Sequence, residues 1–276
     1  GLLNFYKTHR IGNLEWFEGG KMHRVVSLGG KVGKIVIANE ARNSRLLVEI
    51  DFPDTALIHL ILRRVRSLFD LDSDPLVIAN ALEFDIEVRG LLRKNPGIRL
   101  PSGWDGFEVA VSSILGQFVT VEFGGSLVAD LIELLGKDSG LKHGGRSIRL
   151  FPTAKQIAES DLRGLKTTSA RKETLIAFSK KVMEGELSLE PTQDVDEFLK
   201  KTMAIKGIGP WTANYMAMRV LRHTDAFPHT DLILARALDR HPKEVVAQMS
   251  PWRAYVATLF WREYSEILKK KKGKRS

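Results

Sequence analysis

The stretch Lys206-Gly207-Ile208-Gly209-Pro210-Trp211-Thr212-Ala213-Asn214-Tyr215 constrains the fold more than any other. Upstream of it, Val195, Phe198, Leu199, Met203 and Ile205 recur at helical spacings behind Asp194, a residue type that caps helix N-termini. The two glycines permit a tight turn with positive φ. Pro210 suits the first position of a new helix, where its missing N–H costs nothing. The second helix then carries Ala213, Tyr215, Met216, Met218, Val220 and Leu221. The pattern predicts two helices joined by a Gly-Ile-Gly hairpin. The N–H groups of Gly207, Ile208, Gly209 and Thr212, helped by the dipole of the second helix, would suit a phosphate without any lysine. An ordinary corner between helices uses the same glycines, and Gly-Ile-Gly alone favours that plainer reading.

Bulk properties set the frame. A chain of 276 residues, 43% hydrophobic and 27% charged, has the composition of a globular protein with room for two domains or one large one. No run approaches the roughly 18 apolar residues of a membrane span. The first twenty residues lack both a continuous apolar stretch and a small-residue cleavage site, so no secretory signal is expected there. The absence of cysteine excludes disulfides and a cysteine-ligated iron–sulfur cluster. Cytoplasm, in association with the nucleoid, is the expected compartment. The net charge of +9 carries less than it promises: Lys269–Lys272, Lys274 and Arg275 supply six of those charges, leaving +3 for the rest. The tail reads first as a solvated, disordered end, and second as an aid to non-specific DNA binding.

Residues 1–55 read as strands. Val25–Leu28, Lys34–Ala38 and Leu46–Ile50 are separated by Gly29-Gly30 and Asn43-Ser44 turn signals, and residues 56–69 follow as an amphipathic helix. From Asp74-Pro75 the pattern turns helical throughout, with helices near 75–82, 104–115, 120–135, 153–159, 169–184, 194–204, 210–222, 231–239, 242–248 and 251–268. Thr153-Ala154-Lys155-Gln156 is a capping box. Residues 136–145 read as the least regular loop. The expected fold class is α+β: an N-terminal antiparallel sheet domain (1–74), a helical body (75–268) with its hairpin at about 194–222, and a basic tail (269–276).

Beyond the hairpin, Asp225-Ala226-Phe227-Pro228-His229-Thr230-Asp231 leads to a helix opened by Asp231. Together with Ser67-Leu68-Phe69-Asp70-Leu71, Pro96–Pro101, Ile114-Leu115-Gly116-Gln117 and Pro251-Trp252-Arg253, this order of motifs resembles the helix-hairpin-helix DNA glycosylase superfamily. The resemblance is to its 3-methyladenine DNA glycosylase II, or alkylation-repair, type. It spans about residues 60–265 and is weaker over the first 55. It implies a monofunctional enzyme that flips an alkylated base out of double-stranded DNA and hydrolyses its N-glycosidic bond.

The resemblance assigns roles residue by residue. Asp231 would be the catalytic carboxylate, stabilising oxocarbenium character at C1′ and orienting water. Trp211, Tyr215 and Trp261, with Phe5 as a fourth wall, would form an aromatic base pocket, attractive to a cationic alkylpurine through cation–π interaction. Gln117 and Phe118 would fill the gap left by the flipped base. Backbone carbonyls of Met203, Ile205 and Gly207 would hold Na+ or K+. Each aromatic has a plainer reading as core filling, and Asp231 as a helix cap. Asp225 and His229 are nearby rivals for the catalytic role and read first as loop-structuring residues.

Bifunctional relatives place a Schiff-base lysine two residues past the second hairpin glycine, and Trp211 occupies that position here. Lys206 precedes the first glycine, where the family usually has proline. Leu232 and His229-Thr230 are further departures. The partner implied is damaged duplex DNA, bound by a monomer with no membrane. A non-catalytic damaged-DNA-binding protein of the same fold, or an oxidised-purine glycosylase/lyase, are the competing readings.

Overall fold

The computed structural model describes residues 2–40, 42, 44–239, 241 and 243–273. The chain forms two compact units, each assembled from two stretches of sequence: Gly1–Val65 with Ala110–Leu187, and Arg66–Val109 with Ser188–Ser276. Neither unit is the continuous 1–74 or 75–268 segment expected from composition. The chain leaves the first unit within one helix and re-enters it within another, where no loop marks a boundary.

In the first unit, helix α1 (Leu2–Thr8) precedes a four-stranded antiparallel meander: β1 (Glu15–Glu18), β2 (Lys21–Leu28), β3 (Lys31–Glu40) and β4 (Arg45–Asp51), in the order β1-β2-β3-β4. Three strands were expected, and β1 is the addition. Its four residues are too few to show an alternation by themselves. The Gly-Gly turns fix the register: Glu18 pairs with Lys21 and Leu28 with Lys31. Gly19-Gly20 and Gly29-Gly30 have φ of +56°, +76°, +58° and +74°, the mirror-image turn geometry that matches strand twist and that glycine adopts freely. Met22, Val26, Ile35 and Ile37 are buried on the sheet, and Arg24 forms a buried ion pair with Glu15, its register partner. The amphipathic helix α2 (Ile58–Leu68) contributes Ile61 and Val65 to the core.

Helix α6 (Val121–Leu135), capped by Thr120, and α8 (Ser169–Met183), capped by Thr168, complete the unit around Leu127, Leu131, Leu175 and Phe178. Between them the expected capping box forms at Thr153–Gln156 and opens α7 (Ala154–Ala158). The expected loop 136–145 is instead part of a second hairpin, β5 (Asp138–His143) with β6 (Arg146–Arg149). Gly144 and Gly145, at φ +57° and +76°, form the same kind of turn as the two in the sheet. Ile148 is the hairpin's buried apolar residue, so its strands carry no hydrophobic alternation to betray them.

The second unit is helical. Helices α3 (Pro75–Leu82) and α4 (Ile86–Lys94) begin at Asp74 and Asp85 caps, and α4 falls in the helical stretch where no helix was delimited. Helix α5 (Gly106–Leu115) starts in this unit and ends in the other. A Cβ on Gly106 would stand 2.9 Å from Val220 Cγ1 and 3.3 Å from the Leu189 backbone O, so a side chain there would be crowded. The hairpin helices α9 (Val195–Met203) and α10 (Pro210–Arg219) are followed by α11 (Leu232–Leu238), α12 (Lys243–Gln248) and α13 (Arg253–Gly273). Phe198, Met216, Leu234, Val256, Leu259 and Phe260 form the core. The backbone of Lys269–Gly273 continues α13 where a disordered tail was expected, because no helix breaker precedes Gly273; residues 274–276 lie outside the described residues. Among the described residues no helix is long and apolar enough to cross a membrane.

Candidate active site

The hairpin is built from its own chain. The Asp194 side chain accepts from Glu197 N at 2.8 Å and starts α9. At the other end, Ile205 N donates to Thr202 O and Ile208 N to Ile205 O, closing the turn. Ile205 and Ile208 are both buried and anchor it. Gly207 takes φ +93°, which side chains rarely adopt, whereas Gly209 lies at φ −92° and ψ 177° as the N-cap of α10. Pro210 occupies the first turn, and no side chain caps this helix. The amide of Ile208 is therefore spent inside the turn, contrary to its expected place among the phosphate donors. Gly209 is exposed, with open space where a Cβ would stand.

From α10, positions 211, 215 and 219 form one stripe, as i, i+4 spacing requires. Trp211 and Tyr215 stack with ring centroids 5.1 Å apart and planes 7° apart. Arg219 is 7% exposed, donates to Tyr215 Oη at 2.8 Å, and sets its guanidinium 5.4 Å from the Tyr215 ring centroid. Ser102 Oγ donates to Arg219 O at 2.9 Å. Trp261, from α13, is tilted by 57° to Tyr215 at 6.1 Å. Trp211, Tyr215 and Trp261 thus form one half-buried aromatic cluster. The first two rings already stack on each other, so no flat ligand can lie between them.

Asp231 is the polar centre of this cluster. Its Oδ1 accepts from Ile233 N at 2.9 Å, Leu234 N at 3.1 Å and the Trp261 indole at 3.1 Å, while Oδ2 accepts from the Trp211 indole at 2.9 Å. The expected cap is formed, and the same carboxylate receives both indoles of the cluster. Four N–H donors fix the plane of a carboxylate that would otherwise rotate freely. The loop leading to it is tied down at Asp225, which receives Arg253 Nε at 2.7 Å and Nη2 at 2.6 Å, and Ser250 Oγ at 3.0 Å. Burial raises the Asp225 carboxyl pKa, but the bonds from Arg253 and Ser250 and the Arg253 charge outweigh it, so the pKa lies below the ordinary value. Asp225 has the loop-structuring role the sequence suggested, with an arginine partner it did not reveal. His229 is exposed and its backbone N–H bonds to Phe227 O.

The expected wedge residues Gln117 and Phe118, and the expected fourth wall Phe5, lie in the first unit. Gln117 and Phe118 form the turn between α5 and α6, where Phe118 has φ +55° and is fully exposed at 103%. It is not packed between helices. Phe5, in α1, stacks on His9, just past the end of that helix, at 4.0 Å and meets Tyr6 edge-on at 5.5 Å. Of the carbonyls considered for a monovalent cation, Met203 O belongs to the last residue of α9, Ile205 O already accepts from Ile208 N, and Gly207 O lies in the turn. These are neutral oxygens, a donor type that hard cations accept. The sequence reading gave no role to Arg219 or Ser102 and quoted Arg253 only within a motif, because Ser102 and Arg253 meet partners 117 and 28 residues away. Arg219 alone leaves a trace, as a cation four residues after Tyr215 in an otherwise apolar helix.

Comparison with known proteins gives this geometry its class. The fold is that of helix-hairpin-helix DNA glycosylases: the structure of a 3-methyladenine DNA glycosylase from Archaeoglobus fulgidus superposes with a TM-score of 0.77 at 19% identity, over 94% of this chain and 91% of that one. An 8-oxoguanine glycosylase/lyase from Clostridium acetobutylicum, solved with double-stranded DNA, gives 0.69 at 19% identity over 91% and 88%.

Within that class the chain resembles the 3-methyladenine DNA glycosylase II type, and its residues 1–105 match the family model of the AlkA N-terminal domain. That match includes the first 55 residues, where the motifs were weakest. DNA-3-methyladenine glycosylase 2 of Escherichia coli is 28% identical over 267 residues, 94% of this chain and 92% of that protein. A probable bifunctional transcriptional activator/DNA repair enzyme AlkA of Mycobacterium tuberculosis is 34% identical over 228 residues, 78% of this chain. The chain spans 44% of the length of that relative.

Proposed function

We propose that this chain is a monofunctional DNA glycosylase that removes alkylated bases such as 3-methyladenine and 7-methylguanine from duplex DNA by base flipping and hydrolysis, leaving an abasic site for base excision repair. The observation that carries the proposal is Asp231, held by two indoles and two backbone amides against an aromatic cluster. In this reading the flipped base lies on an outer face of the cluster. The sugar's C1′ gains positive charge as the bond to the base weakens, and the Asp231 carboxylate stabilises it and orients water. Because Asp231 is already fixed, little reorganisation accompanies the reaction.

The remaining parts follow the same logic. The backbone of the turn at Gly207 and Gly209 and the first turn of α10 at Thr212 receive a backbone phosphate, favoured by the dipole of α10, and Na+ or K+ on the carbonyls of Met203, Ile205 and Gly207 adds positive charge there. Phe118 enters the stack from its exposed turn, with Gln117 beside it. Trp211 stands where lyases carry their lysine, so no Schiff base forms and the strand stays intact. Such an enzyme works with the chromosome in the cytoplasm.

Incubation with methylated duplex DNA tests the reading. Free 3-methyladenine should appear, and alkali should cleave the resulting abasic sites. A borohydride-trapped protein–DNA adduct would instead support the lyase reading. Tight binding to damaged DNA without base release by the unaltered chain would support a binding protein.

A further inference from the structure

The Gln117–Phe118 turn is held from a distant part of the sequence. Arg171, in the first turn of α8, donates from Nη2 to the Gln117 carbonyl at 2.6 Å and from Nη1 to Thr167 Oγ1 at 2.8 Å. The two positions are 54 residues apart and lie in the same unit. On another side, α6 packs close: a Cβ on Gly124 would stand 3.2 Å from Gly116 Cα. What this frame supports is a non-glycine residue at positive φ with a phenyl ring in solvent. A ring in solvent gains nothing from packing, so the conformation must be imposed by the backbone around it.

We propose that Arg171 is a positioning residue for Phe118: its guanidinium fixes the Gln117 carbonyl and so presents the ring ready to enter the base stack. A charged donor on a backbone carbonyl makes one of the stronger hydrogen bonds, and the forked guanidinium reaches Thr167 and Gln117 together as an ammonium cannot. This role rests on reading Phe118 as the wedge. Without Arg171 the turn samples other conformations, and ordering it on DNA becomes part of the cost of binding.

The test is a double-mutant cycle on the whole chain: Phe118→Ala, Arg171→Ala and the two combined. The readouts are affinity for a duplex with a tetrahydrofuran abasic analogue, fluorescence of 2-aminopurine placed opposite it, and thermal midpoint. Phe118→Ala should weaken binding about tenfold or more, the worth of one base–aromatic stack, and Arg171→Ala about tenfold, the worth of one charge-assisted hydrogen bond. Each should also lower the 2-aminopurine signal, and the double variant should be no worse than Phe118→Ala alone. Wild-type affinity in Arg171→Ala, or losses that multiply in the double variant, would overturn the proposal. Wild-type behaviour of Phe118→Ala would instead overturn the wedge reading beneath it. If Arg171→Ala fails to fold, Arg171→Lys, which keeps the charge and loses the fork, enters the same cycle under the same criteria.

Discussion

Trp211 and Asp231, twenty residues apart, are joined by the indole Nε1–H of the first donating to Oδ2 of the second at 2.9 Å. The hairpin helix α10 therefore supplies an aromatic face and, through the same side chain, orients the carboxylate that opens α11. Replacing Asp231 by Asn keeps a good helix cap, because the two residues cap about equally well. Asp231→Asn should leave the thermal midpoint nearly unchanged and retain affinity for an abasic-site duplex. Base release, followed by chromatography of free bases, should fall by about 10²–10³-fold.

Trp261 supplies the second indole, at 3.1 Å from Oδ1. Trp261→Phe keeps a ring of similar reach and loses the donor. Single-turnover excision should slow by about tenfold, corresponding to one hydrogen bond to a charged group. An unchanged rate would mean that Trp211 and the helix cap fix the carboxylate by themselves.

The two hairpin glycines should respond differently. Gly207→Ala forces a side chain to φ +93° and should cost roughly 1–2 kcal/mol in urea unfolding. Gly209→Ala meets open space at φ −92°, so its effect on stability should be smaller. If Gly209 approaches a phosphate, the variant should instead lose DNA affinity, measured by fluorescence anisotropy.

The Asp225–Arg253 pair makes stability depend on pH. The Asp225 pKa is lower in the folded chain than the ordinary value of about 3.9. Its contribution is therefore fully present above the unfolded pKa and is lost as pH falls through the folded one. Below about pH 5, Asp225→Asn should flatten this part of the stability profile, measured as urea midpoints.

Tyr255 donates to Asp70 Oδ2 at 2.9 Å inside the second unit, beside Leu100 N, which donates to the same oxygen at 2.9 Å. Burial and the nearby Asp70 charge push the phenol's pKa well up, so the hydroxyl stays a donor at any physiological pH. Tyr255→Phe should cost about 1–3 kcal/mol in stability, since Asp70 loses a partner where water is scarce. Excision per folded molecule should be unchanged.

What could be read in advance was whatever local stereochemistry writes into the chain. Gly29-Gly30 forms the turn it announced, Thr153 and Gln156 form their box, and Asp194 caps α9. The β5–β6 hairpin shows the limit, since residues 136–145 read as loop where the flanking strands lack apolar alternation. Helix α4 was missed although Asp85 caps it, because its apolar residues Val88, Leu91 and Leu92 span little more than one turn. Among site residues, Trp211, Tyr215 and Asp231 were named from motif order. That Trp211 and Trp261 would aim their indole edges at Asp231 required coordinates, as the faces and edges of a ring look alike in sequence.

The amino-acid sequence by itself determined the hairpin, the caps, the Gly-Gly turns and the lack of a lysine at position 211. These depend on φ preferences, on side chains that reach backbone two or three residues away, and on which residue occupies one position. The tertiary structure decided which distant groups meet: Arg171 with Gln117, Arg253 with Asp225, and Trp261 with Asp231. It also decided that each compact unit draws on two separate stretches of chain. Such pairings follow from the simultaneous packing of many helices, and no short window of sequence contains the energy that selects them.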